Sequence, residues 1–266
     1  MPRVRIGEIG VNYEQEGAGT DLVLIHGLGA DLHIWDPDAA EFARYHRVLR
    51  YDVRGFGGSD KPPGPYSPAL FAHDLSDLLT VCGVRVAHVL GISMGGVIAQ
   101  RFALDYPQRL RSLVLVSTSS EVAAPATAMW QWLADVVERE GFAAGSADAA
   151  RAFSAAFAAQ HPEVVAQVGR RNAANDPRAY AAAARAMSDY NWTAELAAVC
   201  VPTLILQGLE DQLTPPGGSV KMSRKLPRAR LLMVSGAGHQ LPLEQPALFH
   251  AAVLAFTAGV DNSLKL

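Results

Sequence analysis

Gly91-Ile92-Ser93-Met94-Gly95 is the stretch on which the reading of this chain turns. An apolar run, Val86-Ala87-His88-Val89-Leu90, precedes it, and Val97, Ile98, Ala99, Phe102 and Ala103 follow at helical spacing. A serine on a sharp strand-to-helix turn is pushed out of the backbone and exposed at the sheet edge. The flanks of such a turn must be small, because neighbouring backbone comes too close for side chains. This is the form of a nucleophile elbow. A G-x-S-x-G string also arises by chance in about one chain in ten of this length, and a plain glycine-rich turn would produce it too, so context decides.

Working outward, short β-type runs alternate with helical patterns. Strands are expected at 4–6, 11–15, 22–26, 48–52, 86–90, 113–117, 203–207 and 230–234. From the third onward they are near-continuous Val, Leu and Ile runs, which suit strands covered on both faces, as in a parallel sheet. The first two are more polar and read as an edge hairpin. Helices are expected at 67–81, at 94–106, where Pro107 stops the helix, and at 247–256. This alternation predicts an α/β fold: a mostly parallel, doubly wound eight-stranded sheet with helices on both faces. Ligands bind such sheets at the carboxyl ends of their strands. Residues 119–198 break the rhythm. They are rich in alanine, contain no strand pattern and are punctuated by Gly141, Gly145, Pro162 and Pro177. They read as a helical cap inserted after the sixth strand. The expected organisation is a core of residues 1–118 and 199–260, a cap of 119–198 and a polar tail of 261–266.

Half of the 266 residues are hydrophobic, 18% are charged and the net charge is -3. No basic stripe or charged tail points to nucleic acid or an anionic membrane. The start, Met1-Pro2-Arg3-Val4-Arg5-Ile6-Gly7-Glu8, has no long apolar stretch, so no signal peptide is expected. No stretch is long and apolar enough for a transmembrane helix. Cys82 and Cys200 form no motif and read as separate reduced thiols. A cytoplasmic protein is expected.

Acyl transfer by serine needs a nucleophile, a base, a group to orient the base, and donors for the oxyanion. Ser93 is the candidate nucleophile. The candidate base is His239, in the glycine-rich loop Gly236-Ala237-Gly238-His239-Gln240 after the last strand. A surface-loop histidine is the bland alternative. His26 ends a strand and is expected to make a structural hydrogen bond. The candidate orienting acid is Asp211, in the loop after strand 203–207. Glu210 beside it and Glu121 are alternatives, and a turn residue is the structural one. The chain order Ser93, Asp211, His239 is that of the α/β-hydrolase triad. The candidate oxyanion donors are the backbone N–H groups of Met94, at a helix start, and of Leu28, in His26-Gly27-Leu28-Gly29. The glycines of Tyr51-Asp52-Val53-Arg54-Gly55-Phe56-Gly57-Gly58-Ser59-Asp60 lack a phosphate-binding pattern. They read as a structural turn pinned by Asp52 and Arg54. No cluster has metal-ligand spacing, and no cofactor or metal is expected.

Together, His26-Gly27-Leu28-Gly29, Asp52-x-Arg54-Gly55-x-Gly57-x-Ser59, Gly91-x-Ser93-Met94-Gly95-Gly96, Gly208-x-x-Asp211 and Gly238-His239 resemble the α/β-hydrolase fold superfamily over nearly the whole chain. Gly29-Ala30-Asp31-Leu32-His33-Ile34-Trp35, residues 42–59, Gly64-Pro65-Tyr66 and the start of the cap are most similar to 3-oxoadipate enol-lactonases and related small esterases and lactonases. The resemblance implies the triad Ser93, Asp211, His239 and a substrate contact at Trp130. The spacing of Trp130 with Leu133 and Val137 equally suits a core aromatic on an amphipathic helix. Two departures stand out: Gly27 occupies a position where enol-lactonases often have Ser, and Gln240 one where carbon–carbon bond hydrolases of this fold usually have Trp.

The expected function is cleavage of a small-molecule carboxylic ester or lactone through an acyl-enzyme. The alternatives are carbon–carbon bond hydrolysis or cofactor-free perhydrolysis on the same triad. A ligand receptor with little turnover is the alternative from another class.

Overall fold

The computed structural model describes residues 2–142 and 149–263. Met1, residues 143–148 (Gly145 among them) and the expected tail residues 264–266 lie outside the described residues. Each expected run is a strand: β1 (Arg3–Ile6), β2 (Ile9–Gly17), β3 (Thr20–Ile25), β4 (His46–Tyr51), β5 (Ala87–Ile92), β6 (Leu110–Val116), β7 (Thr203–Gly208) and β8 (Ala229–Val234). They form one sheet in the order β1-β2-β4-β3-β5-β6-β7-β8. The hairpin β1–β2 and the pair β2–β4 are antiparallel, and every other pairing is parallel. The chain winds from β3 outward to β4 on one side and then to β5 on the other. The loops that leave β3 and β5 therefore diverge, and a crevice opens beyond their carboxyl ends.

Among the described residues the α-helices are α1 (Asp36–Phe42), α2 (Pro68–Val81), α3 (Met94–Asp105), α4 (Ala124–Glu140), α5 (Ala155–Gln160), α6 (Pro162–Ala173), α7 (Pro177–Ala186), α8 (Gly217–Lys225), α9 (Leu241–Glu244) and α10 (Pro246–Ser263). Side chains alternate across the strands, so each face of the sheet carries its own core. Val23, Ile25, Val89, Leu113, Leu115 and Ile205 face Phe71, Leu75, Val97, Ile98 and Phe102 of α2 and α3. Leu22, Leu24, Leu90, Val114, Val116 and Leu206 face Trp35, Phe42, Phe249, Val253 and Phe256. A continuous apolar run is what two covered faces require.

β8 departs from that expectation. It is the last strand of the sheet, its burial alternates, and Leu232 is exposed. An edge strand has a neighbour on one side only. The C-terminus departs too. α10 runs to Ser263, through the first residues of the expected polar tail. Asp261 anchors it: Oδ2 accepts from Thr20 Oγ1 at 2.8 Å, and Oδ1 accepts from Arg111 Nη1 at 3.1 Å.

Between β6 and β7 the described residues are helical apart from turns and a single bridge between Glu121 and Asn191. This segment meets the loops at the carboxyl edge of the sheet. Asn175 Nδ2 donates to the Gly29 carbonyl at 2.7 Å, and Gln240 N donates to the Ala152 carbonyl at 2.9 Å. Among the described residues no helix is long and apolar enough to cross a membrane.

Candidate active site

Ser93 stands between the end of β5 and the first residue of α3, with φ 55° and ψ -119°. A non-glycine residue at positive φ is strained. The surroundings fix it there. Ser93 N donates to the Val116 carbonyl at 3.0 Å, and its carbonyl accepts from Val97 N at 3.1 Å and Thr118 Oγ1 at 2.9 Å. The flanking glycines have a direct reason. A Cβ on Gly91 would run into the Gly95 carbonyl, and one on Gly95 into the Ile25 carbonyl. A Cβ on Gly96 would lie 2.6 Å from Thr118 Cγ2. The pentapeptide is thus an elbow pressed against β3 and the end of β6.

The loop after β3 reaches the same place. His26 is fully buried. Its Nε2 accepts from Val53 N at 2.9 Å, and its Nδ1 meets the Gly27 carbonyl at 2.8 Å, a structural role. Burial pushes its pKa down, which suits a neutral ring accepting an amide proton. Among the described residues the Leu28 N–H has no acceptor. Met94 opens α3, where first-turn amides have no intrahelical partner. Leu28 and Met94 line one cavity with Ser93. Gly27 lies against the elbow: a Cβ there would be 3.4 Å from Ser93 Cβ.

The loops after β7 and β8 bring Asp211 and His239 together. His239 Nδ1 lies 2.9 Å from Asp211 Oδ2, and both side chains are buried. The carboxylate is held on every side. Oδ1 accepts from Leu213 N and Thr214 N, each at 2.9 Å. Oδ2 also accepts from Thr214 Oγ1 at 2.7 Å and Gln207 Nε2 at 3.1 Å. Burial opposes ionisation of Asp211. The charge and hydrogen bond of His239, with the bonds from Thr214, outweigh it and hold the carboxyl below its ordinary range. Asp211 is therefore a turn residue and a histidine partner at once. Among the described residues neither Ser93 Oγ nor His239 Nε2 has a hydrogen-bond partner, and Ser93 lines the cavity.

Two residues outside the sequence reading hold this arrangement. Gln207 Oε1 accepts from Ser219 Oγ at 2.7 Å while its amide nitrogen serves Asp211. Glu244 is buried in α9. Its Oε1 accepts from Gly238 N at 2.9 Å and its Oε2 from Ser154 N at 2.8 Å. One carboxylate thus binds the histidine loop to the helical segment above it. The other acid candidates are elsewhere. Glu121 pairs with Lys221 and accepts from Thr193 Oγ1 at 3.1 Å. Glu210 is exposed.

The cavity beside Ser93 measures about 270 Å³. Val97, Val122, Ala126, Met187 and Leu213 give it an apolar lining, and Trp130 is in its wall, while Leu133, Ala134 and Val137 of the same helix are buried in the core. The glycine-rich turn after β4 is structural. Asp52 accepts from Leu32 N, Gly58 N and Asn12 Nδ2 at 2.7, 2.7 and 2.8 Å. Arg54 is paired bidentately with Asp74 at 2.7 Å.

At the opposite edge of the sheet, His46, His88 and Asp261 place three ligand-type atoms within 4.8 Å of one another. Each is already committed. His46 meets Thr20 Oγ1 and Thr257 Oγ1 at 2.9 Å, and His88 meets Ser112 Oγ at 2.7 Å. The Arg111 guanidinium rests on Asp261. This is a hydrogen-bonded network with its own cation.

Residues 21–246 match the family model of the alpha/beta hydrolase fold. The chain is 28% identical to 3-oxoadipate enol-lactonase 2 of Acinetobacter baylyi over 93% of both chains. Among solved structures it is similar to a thermophilic esterase from Thermogutta terrifontis, with a TM-score of 0.92, 31% identity and coverage of 98% of this chain and 99% of that one. It is similar also to the enol-lactonase from Burkholderia xenovorans LB400, with a TM-score of 0.92, 27% identity and coverage of 97% and 100%. With the sheet order and the elbow, these matches lead to one conclusion: the chain belongs to the α/β-hydrolase fold family, as a hydrolase that resembles the 3-oxoadipate enol-lactonases.

Proposed function

We propose that the protein hydrolyses carboxylic esters or lactones through an acyl-enzyme on Ser93. His239 acts as general base and then general acid, Asp211 orients it, and the Leu28 and Met94 amides form the oxyanion hole. The observation that carries this reading is the strained Ser93 elbow at the same sheet edge as the buried His239–Asp211 pair. With Nδ1 committed to Asp211, Nε2 is the nitrogen left to take a proton. It removes the Ser93 Oγ proton as Oγ attacks the carbonyl carbon. The new oxyanion is held by amides that need no reorganisation to meet it. The imidazolium then protonates the departing alcohol oxygen, the acyl–oxygen bond breaks, and the ester remains on Ser93. Water, deprotonated by the same Nε2, releases the acid. In a lactone the alcohol stays tethered, so the product is a hydroxy acid, or a keto acid where the alcohol is an enol. Catalytic hydrogen bonds of this kind often close only around substrate, which suits the unengaged Oγ and Nε2.

In this reading residues 119–198 are the cap that selects the acyl group, and Trp130 is a substrate contact in the cavity wall. The similarity to a solved esterase and a solved enol-lactonase supports acyl–oxygen chemistry. The test is hydrolysis of p-nitrophenyl butyrate and a panel of lactones of graded ring size by the wild type and Ser93→Ala. Turnover is expected on at least one substrate, with kcat/KM reduced by at least about 10³-fold in the variant. Turnover that survives Ser93→Ala would overturn the mechanism.

A further inference from the structure

The cavity beside Ser93 has charged side chains from two residues among the described ones, Glu121 and Lys221. They belong to separate elements. Glu121 lies in the segment between β6 and α4, bridged to Asn191, and Lys221 lies on α8. They are paired with each other, Lys221 Nζ donating to Glu121 Oε1. The other carboxylate oxygen is held too. Thr193 Oγ1 donates to Oε2 at 3.1 Å and lies 2.7 Å from Ser120 Oγ. The bond from Lys221 holds the Glu121 carboxyl below its ordinary range, so the acid is ionised at neutral pH. The rest of the wall is apolar or carries uncharged hydroxyls and backbone.

A lone lysine in such a wall would attract a carboxylate on the far end of an acyl chain. Here the ammonium already has its counter-ion. An incoming carboxylate would have to displace Glu121 from Lys221 or sit beside a second negative charge. Either course carries a cost that an uncharged acyl group avoids, because charges leaving water need compensation.

We propose that Glu121, by occupying Lys221, makes this pocket select uncharged acyl groups and reject substrates whose acyl chain ends in a carboxylate. The proposal rests on the hydrolase reading above and names its substrate class. It also gives a function to an acid that stands away from His239.

The experiment compares kcat/KM for p-nitrophenyl hexanoate and for the mono-p-nitrophenyl ester of adipic acid, in the wild type, Glu121→Gln, Lys221→Met and the double variant. The wild type is expected to favour the neutral ester by at least about 10-fold. Glu121→Gln frees Lys221 and should shift the ratio of the two at least about 10-fold toward the anionic ester. Lys221→Met leaves Glu121 unpaired and should shift it the other way. The double variant, with neither charge, should lose the gain made by Glu121→Gln. A ratio in Glu121→Gln within threefold of the wild type, with the neutral ester still turned over, would overturn the proposal and leave the hydrolase reading intact. So would a wild type that prefers the anionic ester. Turnover of neither ester by the wild type, on a lactone panel that also fails, would overturn both readings.

Discussion

Gly91 and Gly95 meet across the elbow so closely that a methyl group on the first would collide with the carbonyl oxygen of the second. The collision is with backbone at the start of α3, which cannot move without moving Ser93. Gly91→Ala and Gly95→Ala should therefore damage activity and stability together. A loss of at least about 10-fold in kcat/KM and a fall in Tm of more than about 5 °C are expected. A variant with unchanged melting and unchanged turnover would contradict the packing described.

The identity of the orienting acid has its own test. Asp211 lies 2.9 Å from His239 Nδ1, whereas Glu210 is exposed. Asp211→Asn keeps the shape of the side chain but removes the charge that stabilises an imidazolium. Its kcat should fall by on the order of 10³ to 10⁴, while Glu210→Gln should stay within about twofold of the wild type. The reverse order of the two effects would move the role to Glu210.

Stability should fall in mild acid because of the network at the far edge of the sheet. Burial, opposed by Asp261, pushes His88 down to about 4 from an ordinary value of 6.5. Burial lowers His46 as well. Between the two His88 values the unfolded chain takes up a proton that the folded chain refuses. Stability is therefore full above about pH 6.5 and declines as the pH falls toward 4, by about 3 kcal/mol for His88 alone. Asp261 acts in the same sense in a lower window: its carboxyl is lowered, so the stability it contributes is lost as the pH falls below the ordinary carboxylate range. Urea unfolding at pH 7.5, 5.5 and 4.5 measures the slope. His88→Asn should flatten it, leaving the share of His46 and His26, which burial also lowers, and an unaltered slope would exclude His88 as a source.

Glu244 should matter to turnover although nothing places it at the reacting atoms. Glu244→Gln keeps the volume but offers a single oxygen where the Gly238 and Ser154 amides need one each. An amide left facing an NH2 group in a buried place costs about 1–3 kcal/mol. Tm should drop by roughly 3–8 °C, and hydrogen exchange at the Gly238 amide should quicken. kcat should fall about 5- to 50-fold as the His239 loop loosens. Normal kcat with fast Gly238 exchange would separate the loop's order from catalysis.

The sheet was legible because strands covered on two faces need unbroken apolar runs, and the runs at 22–26, 86–90 and 203–207 have no other use. Leu28, Ser93, Asp211 and His239 were legible as positions because each lies in a glycine-containing loop after an expected strand. The supporting side chains were not. Glu244 and Ser154 are separated by 90 residues, and a backbone amide leaves no mark in a sequence. Lys221 and Glu121 are 100 residues apart. Asp261 read as the start of a tail because its partner Thr20 is 241 residues away. The half-open β8 was hidden for a related reason: composition does not say which strand is last.

The segment at Ala152–Ser154 threads directly over the histidine loop, where a Cβ on Gly238 would be 2.6 Å from the Phe153 carbonyl carbon. The helical segment and the His239 loop are therefore not separable modules. A chimera that grafts a relative's helices onto this sheet, cut at the ends of β6 and β7, would import a foreign surface against Gly238 along with the new pocket. Redesign of the cavity beside Ser93 is better made by point changes in its wall, which leave that seam intact.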